Sequence, residues 1–204
     1  MKPKNFYKTI LLIVTSFFVF ACQSENPVSQ VDEFNSSNSS RIISEKVQAP
    51  GELSEQERDG LIYMRLEEKL ARDVYITFGD LYSYTAFLNI QTSEQNHMDA
   101  MKRLIDKYNI EDPVTTDSVG VFSNPDFQQL YDQYITQGSV SLYDALLAGK
   151  AIEELDIADL ENQLTFVDNQ DIIRVYQNLL TGSQNHLAAF IKCLNSPITV
   201  GKVY

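Results

Sequence analysis

Apolar residues recur every three or four positions along four long stretches of the chain, which is the period of an α-helix with one buried face. The first stretch begins at the capping-box sequence Ser54-Glu55-Gln56-Glu57 and continues to Phe78-Gly79, and the second runs from about Tyr84 to Tyr108. The other two cover about Ser141 to Phe166 and about Asn169 to Leu194. No segment alternates convincingly like a β-strand, so the pattern predicts an all-α protein.

The connection between the second and third stretches is predicted to contain a shorter helix. Asn124-Pro125 has the signature of a cap and first turn, and the helix is expected to end near Gly138. Four long helices with one short helix in a long middle crossover predict a four-helix bundle. We assign this bundle to residues 53–196 and a C-terminal tail to residues 197–204.

The first 22 residues resemble a bacterial lipoprotein signal peptide. Their apolar run, Ile10 to Phe20, has about eleven residues, well short of the roughly 20 that a membrane-spanning helix needs. Three lysines precede this run: Lys2, Lys4 and Lys8. Val19-Phe20-Ala21-Cys22 resembles a lipobox, which predicts that Cys22 becomes a lipidated N-terminus attached to a membrane. The alternative is ordinary secretion, with Cys22 an incidental residue.

Residues 23–52 are rich in Ser, Asn, Gln and Glu and are predicted to form a disordered tether. Position 23 lacks the aspartate that usually retains a lipoprotein in the inner membrane, so a cell-envelope location on the outer membrane, facing the periplasm, is favoured. The net charge of the whole chain is −12. Removal of the signal and its three lysines makes the charge more negative, which disfavours nucleic acid and anionic lipid surfaces as partners.

Each predicted long helix carries an acid or a histidine near the middle of its apolar stripe. The second helix has Glu94 and His97 there, and the fourth has Ser183 and His186. The two histidines of the chain thus occupy equivalent positions. The first helix has Glu68, and the stripe we assign to the third helix is Leu146, Lys150, Glu153, Ile157, Leu160 and Leu164. Polar groups facing a core need partners, so these side chains are predicted to meet one another.

A faint internal repeat supports this arrangement. The sequence at residues 92–97, TSEQNH, recurs at residues 181–186 as TGSQNH, and Leu66-Glu67-Glu68 echoes Ile152-Glu153-Glu154. The bundle is therefore predicted to consist of two related helical hairpins. Di-metal carboxylate bundles use one Glu from each of two helices and a Glu-x-x-His motif from each of the other two, and spacing of three brings both ligands to one face.

Four segments carry a resemblance to a prokaryotic ferritin-like family of unknown function, DUF2202: LEEKLARDVY at 66–75, SEQNHMDA at 93–100, IEELDIADL at 152–160 and GSQNHL at 182–187. The chain is also similar, more distantly, to rubrerythrin, since Glu68 and Tyr75 lie two turns apart and Glu94-x-x-His97 follows. Rubrerythrin's ferritin-like domain holds a di-iron site that reduces peroxide. The resemblance therefore implies a ferritin-like four-helix bundle, two iron or manganese ions and redox chemistry.

The sequence departs from the di-metal pattern at Ser183, where the second Glu-x-x-His motif would supply a glutamate. Glu153-x-x-Asp156 offers an additional carboxylate on the third helix. The candidate metal ligands are Glu68, Glu94, His97, Glu153, Asp156 and His186. Glu154 remains an alternative to Glu153, because the repeat pairs it with Glu68 while the apolar stripe favours Glu153. Tyr75 is a candidate catalytic neighbour of the metals, with simple core packing as the alternative.

Carboxylate and imidazole ligands suit iron(II) or manganese(II). Cys193 is predicted to be a small core residue, and no Cys-x-x-Cys pair exists to bind a further iron, so electrons would come from a separate donor. Together with the signal sequence, the resemblance to rubrerythrin implies an envelope protein whose di-iron site reacts with oxygen or peroxide. Two alternatives are a metal-binding protein without turnover and a metal-free interaction module. The sequence leaves the oligomeric state open, a dimer included.

Overall fold

The computed structural model describes residues 52–196 and has five helices. These are α1 (Glu55–Tyr82), α2 (Thr85–Lys107), α3 (Pro125–Gly138), α4 (Leu142–Gln163) and α5 (Gln170–Leu194). No strand occurs within this range, and the all-α bundle of four long helices with a short helix in the crossover is confirmed. The predicted signal peptide, the tether up to residue 51 and the tail at 197–204 lie outside the described residues.

Side-chain caps begin the helices where the sequence places them. Ser54 accepts a hydrogen bond from the backbone N–H of Glu57, whose carboxylate accepts one from the backbone N–H of Ser54, completing the predicted capping box. Two ends differ from the prediction. α1 continues past Gly79 until Ser83, in the left-handed conformation, closes it. α4 ends at Gln163, because the next backbone N–H groups turn back onto the carbonyls of Asn162 and Gln163.

The long crossover is required because α2 and α4 run in the same direction. α1 and α2 form one antiparallel hairpin and α4 and α5 form the other, with α1 beside α4 and α2 beside α5. At one end, the hydroxyl of Tyr82 donates to the carbonyl of Gly138 (2.6 Å). At the other end, the backbone N–H of Asn169 donates to Glu57 (3.1 Å). Residues 108–141, including α3, therefore travel the length of the bundle.

This crossover buries α1 on every side. Each residue from 64 to 75 is buried, whereas a surface helix normally keeps one polar face. α2 and α4 cover one side of α1, and α3 covers another together with the loop that precedes it. The loop is attached to α1 by polar contacts, including the Arg65–Asp112 ion pair (3.1 Å). The central helix is consequently surrounded by protein although it carries many charged residues.

The apolar core consists of two clusters separated along the bundle axis by a polar layer. One cluster contains Phe78, Phe87 and Phe190, and the other contains Leu61, Met101 and Ile172. In α2, α4 and α5 the mid-height acids and histidines lie in sequence between the residues of these two clusters. Across the described part of the chain, none of the helices is both long and apolar enough to cross a membrane.

The stripe predicted for α4 is partly wrong. Lys150 is outside the core and forms an ion pair with Glu154 on the surface (2.6 Å), and Ile157 and Leu164 are only partly buried. The helix packs instead through small residues and the acids that follow them; its buried residues are Ala145, Leu146, Ala148, Gly149, Ile152, Glu153, Asp156 and Leu160.

Candidate metal centre

All four long helices contribute side chains to the polar layer. Two groups of three ligand-type residues have their ligand atoms within 4.8 Å of one another: Glu68, Glu94 and His97 in one, and Glu94, Glu153 and His186 in the other. Both groups contain Glu94, so the structure brings five of the six predicted ligands together as two adjoining half-sites.

The two half-sites meet at opposite oxygens of Glu94. His97 Nδ1 lies 2.9 Å from Glu94 Oε2 and 3.3 Å from Glu68 Oε2. His186 Nδ1 lies 2.7 Å from Glu94 Oε1 and 3.6 Å from Glu153 Oε2. The two imidazole rings are stacked, with centroids 5.5 Å apart. A carboxylate in this position can bridge two cations, each with its own histidine and terminal glutamate.

These short distances lack the alignment of hydrogen bonds. His97 Nδ1, His186 Nδ1 and Glu94 Oε1 are buried and have no hydrogen-bond partner, and the same holds for Glu68 Oε1. Buried polar atoms without partners are costly and rare in proteins. Carboxylate oxygens and imidazole nitrogens that lie close together without hydrogen-bond alignment are arranged as ligands of a shared cation would be. The residues present therefore suit a metal centre.

The centre has more negative than positive groups. Glu68, Glu94, Glu153 and Asp156 are at most 4 % exposed, and none of the ion pairs formed by residues 52–196 brings a Lys or Arg to them. Burial raises the pKa of Glu68 to about 7 and that of Glu153 to about 8. Burial also opposes ionisation of Glu94, but the two histidines outweigh it and lower its pKa to about 2.

The histidines respond to the same imbalance. Burial alone would lower their pKa values, but the surrounding carboxylates raise the pKa of His97 to about 11 and that of His186 to about 10. In the protein alone both imidazoles therefore keep their protons, and their two positive charges offset at most two of the four buried acids. A divalent cation can replace those protons, which is the usual linkage between metal binding and protonation.

Asp156 lies in the same layer but outside both half-sites. It accepts a hydrogen bond from Ser183, and its second oxygen, Oδ1, is buried without a partner. Burial, together with the charge of Glu68, raises the pKa of Asp156 well above its ordinary value. The serine that replaces the expected glutamate on α5 therefore contacts the additional acid on α4.

Tyr75 is held against a predicted ligand. Its hydroxyl donates to Glu153 Oε1 (2.6 Å), and its ring packs between Phe87 and Phe190 in the core. The ring is packed in the core, as the second interpretation has it, and a catalytic role for Tyr75 stays a prediction. The choice between Glu153 and Glu154 is also clear in the structure, since Glu154 is exposed and paired with Lys150.

The sequence analysis missed two residues of this layer. Ser93 Oγ lies 2.9 Å from His186 Nε2, and its position directly before Glu94 was the available signal. Glu67 is 2 % exposed with both carboxylate oxygens unpartnered. Burial, followed by the charges of Asp156 and Asp159, raises its pKa well above the ordinary value. The helical period gave no signal for Glu67, because it lies off the apolar stripe of α1.

The fold and these residue groups define an all-helical bundle protein with two adjoining sets of potential metal ligands. The family model described as "Uncharacterized protein domain (DUF2202)" matches residues 57–202, and the chain belongs to this family. It is similar to uncharacterized protein MJ0754 of Methanocaldococcus jannaschii, with 55% identity over 144 residues, 71% of this chain and 78% of that protein.

A solved structure agrees with this relationship. The crystal structure of hypothetical protein MJ0754 superimposes with a TM-score of 0.69 and covers 70% of this chain and 82% of that one, at 55% identity. The matched family is the one predicted from the four sequence segments. The more distant similarity to rubrerythrin stays a prediction.

Proposed function

We propose that this protein binds two iron(II) or manganese(II) ions between its four long helices and uses them to react with oxygen or peroxide. The observation that carries the proposal is the arrangement around Glu94. Its Oε1 lies 2.7 Å from His186 Nδ1 and its Oε2 lies 2.9 Å from His97 Nδ1, and Oε1 and both Nδ1 atoms are buried without a hydrogen-bond partner. Oxygen and imidazole donors without a thiolate favour iron or manganese.

Charge supports the same stoichiometry. The acids Glu68, Glu94, Glu153 and Asp156, when ionised, carry the charge that two divalent cations neutralise. Burying several carboxylates without a cation would cost several kcal/mol each or require protons. A protein that only needed a stable core would gain nothing from these four acids at the centre of its bundle.

Bound iron would supply the electrons and the binding position for oxygen or peroxide, while the chain's own residues hold it in place. Glu94 would help to hold both ions, with Glu68 and His97 on one side and Glu153 and His186 on the other. Tyr75 orients Glu153 through its hydroxyl and is the nearest candidate for a redox-active side chain. Cys193 is the only cysteine among the described residues, so they provide no second iron site built from cysteines to pass electrons to the centre. A separate protein or small molecule would return the electrons.

The experiment measures metal content and turnover in the chain without its signal peptide and lipidated cysteine, residues 23–204, loaded anaerobically with iron(II). We expect about two ions per chain and loss of both on Glu94→Ala, because Glu94 belongs to both half-sites. Glu154→Ala, an exposed acid on the same helix as Glu153, is the matched control and retains the metal. Absence of metal from the wild type would leave an interaction module as the remaining function.

Peroxide consumption by the loaded protein separates an enzyme from a metal store. We expect consumption by the wild type and by Glu154→Ala, and none by Glu94→Ala. If the metal-loaded wild type consumes peroxide no faster than Glu94→Ala, the catalytic part of the proposal is wrong and metal sequestration takes its place.

We also propose that the bundle is attached to the cell envelope through lipid on Cys22. The support is the sequence pattern alone: basic residues, a short apolar run and a cysteine at its end. Growth with a labelled fatty acid should label the wild type in the membrane fraction. Label retained by Cys22→Ser would contradict this anchor.

A further inference from the structure

The internal repeat makes the two halves of the centre comparable residue by residue. It pairs Glu94 with Ser183 and His97 with His186, and it pairs Ser93 with Gly182. In the structure, each member of this last pair lies on the outer side of the opposite helix's histidine, Ser93 against His186 and Gly182 against His97. The residue at this position of the repeat therefore determines whether Nε2 of each imidazole has a hydrogen-bond partner.

The His186 side is supported by hydrogen bonds at both of its terminal ligands. Ser93 Oγ lies 2.9 Å from His186 Nε2, which leaves Nδ1 directed towards Glu94 and Glu153. Tyr75 donates to the outer oxygen of Glu153 (2.6 Å). Partners of this kind fix the orientation of metal ligands, and their removal typically weakens metal binding by about 10–100-fold.

The His97 side has no such support among the described residues. Gly182 offers no side chain, and a Cβ built there would lie 2.5 Å from His97 Nε2, so a serine like that on the other side could not be accommodated without moving the ring. Oε1 of Glu68, the terminal carboxylate on this side, is buried without a hydrogen-bond partner. Both terminal ligands are thus less constrained than their counterparts.

We infer that the two metal positions are unequal, and that Ser93 is a positioning residue that makes the Glu94–Glu153–His186 position the tighter one. The Glu68–Glu94–His97 position is the weaker one, filled last and emptied first. This inference rests on the proposed function, because it divides the same centre into a resident ion and an exchangeable ion.

The experiment titrates residues 23–204 with manganese(II) and follows free and bound metal by electron paramagnetic resonance and calorimetry. We expect two steps that differ by about tenfold or more in affinity. His97→Ala should remove the weaker step and His186→Ala the tighter one. The order of filling is read directly from these two variants, without any activity measurement.

Ser93→Ala should weaken the tighter step by about 10–100-fold and leave the other step unchanged, while Ser93→Thr, which keeps the hydroxyl, should retain the tighter step. Thr92→Ala, an exposed neighbour on the same helix, is the matched control and should alter neither step. A variant that only disturbed folding would weaken both steps, and the hydroxyl would not restore one of them.

Two equal steps in the wild type, equal weakening of both steps by Ser93→Ala, or loss of the tighter step in His97→Ala would each overturn the inference. In all three cases the wild type still binds two ions, and the proposed metal centre stands. Failure of the wild type to bind manganese(II) or iron(II) at all would overturn both.

Discussion

Two groups of buried charges contact α1, and they differ in how their charge is balanced. The candidate metal centre has four acids and two histidines, with no Lys or Arg paired to the acids in the described part of the chain. The second group, which we call the ion cluster, consists of Lys69, Arg72, Asp73 and Asp117. Both groups include side chains that are almost completely inaccessible to solvent.

The ion cluster is complete within the chain. Asp73 is fully buried and accepts hydrogen bonds from Lys69, from Arg72 (2.8 Å) and from the backbone N–H of Gly120 (2.9 Å). Arg72 also pairs with Asp117 (2.7 Å). Two cations meet two carboxylates, so this cluster needs no external ion, and its role is to attach the crossover loop to α1. The comparison teaches that burial of charge marks a ligand site only where the chain leaves the charge unbalanced.

The largest expected effect comes from breaking the balanced group. Asp73→Ala leaves Lys69 and Arg72 without their buried partner and should lower the free energy of unfolding by about 3–5 kcal/mol, measured by urea unfolding. Asp117→Ala removes the other carboxylate, whose side chain is 80 % exposed, and should cost less than about 1 kcal/mol. Equal costs for the two variants would contradict the distinction between a buried and a surface partner.

The metal centre should respond in the opposite sense. Glu68→Gln removes an acid that has no cationic side chain beside it except His97, so with chelator present the free energy of unfolding should stay the same or rise. Manganese(II) at 100 times the Kd of the weaker position should add about 2.7 kcal/mol through that position in the wild type and much less in Glu68→Gln. Thermal unfolding with and without metal measures both. A variant that is less stable in chelator and equally stabilised by metal would show that Glu68 is structural.

A smaller effect is expected at Glu57, a buried carboxylate balanced by hydrogen bonds alone. Burial would raise its pKa, but hydrogen bonds from Ser54, Asn169 and Asp168 outweigh burial and hold the pKa below its ordinary value of 4.5. Its stabilisation is therefore present above pH 4.5 and is lost as the pH falls through the lowered pKa. Glu57→Gln should cost about 1–2 kcal/mol at pH 7 and progressively less in acid.

Urea unfolding at neutral and acid pH measures this change. Glu55→Gln, an exposed acid in the same helical turn, is the matched control and should show a smaller cost. A cost for Glu57→Gln that does not change with pH would mean that its ionisation contributes nothing to stability.

The helices and most of the centre could be predicted because they follow from local patterns. Caps such as Ser54 and the three-to-four-residue period define helix bounds to within a few residues. The same period placed Glu68, Glu94 and His186 inward, and the structure brings them together. These features depend on residues close in sequence, which is why one sequence was enough to find them.

The errors arise where long-range packing decides burial. Lys150 follows Leu146 at helical spacing, yet α4 packs through Ala148 and Gly149, whose small side chains give a weak hydrophobic signal. Glu67 and Lys69 are buried because the crossover covers the side of α1 that would otherwise face water. The spacing of apolar residues within a helix cannot predict burial by a segment more than forty residues away in the sequence.

The burial of α1 by the crossover also has a kinetic consequence. Its twelve residues from 64 to 75 reach their final surroundings only after the loop, α3 and α4 have been added, so the helix made first is enclosed late. Once enclosed, it can be released only by detaching those segments together. Backbone amides of this stretch should therefore be among the slowest in the bundle to exchange with deuterium, and the ions would be held by the part of the chain that opens least often.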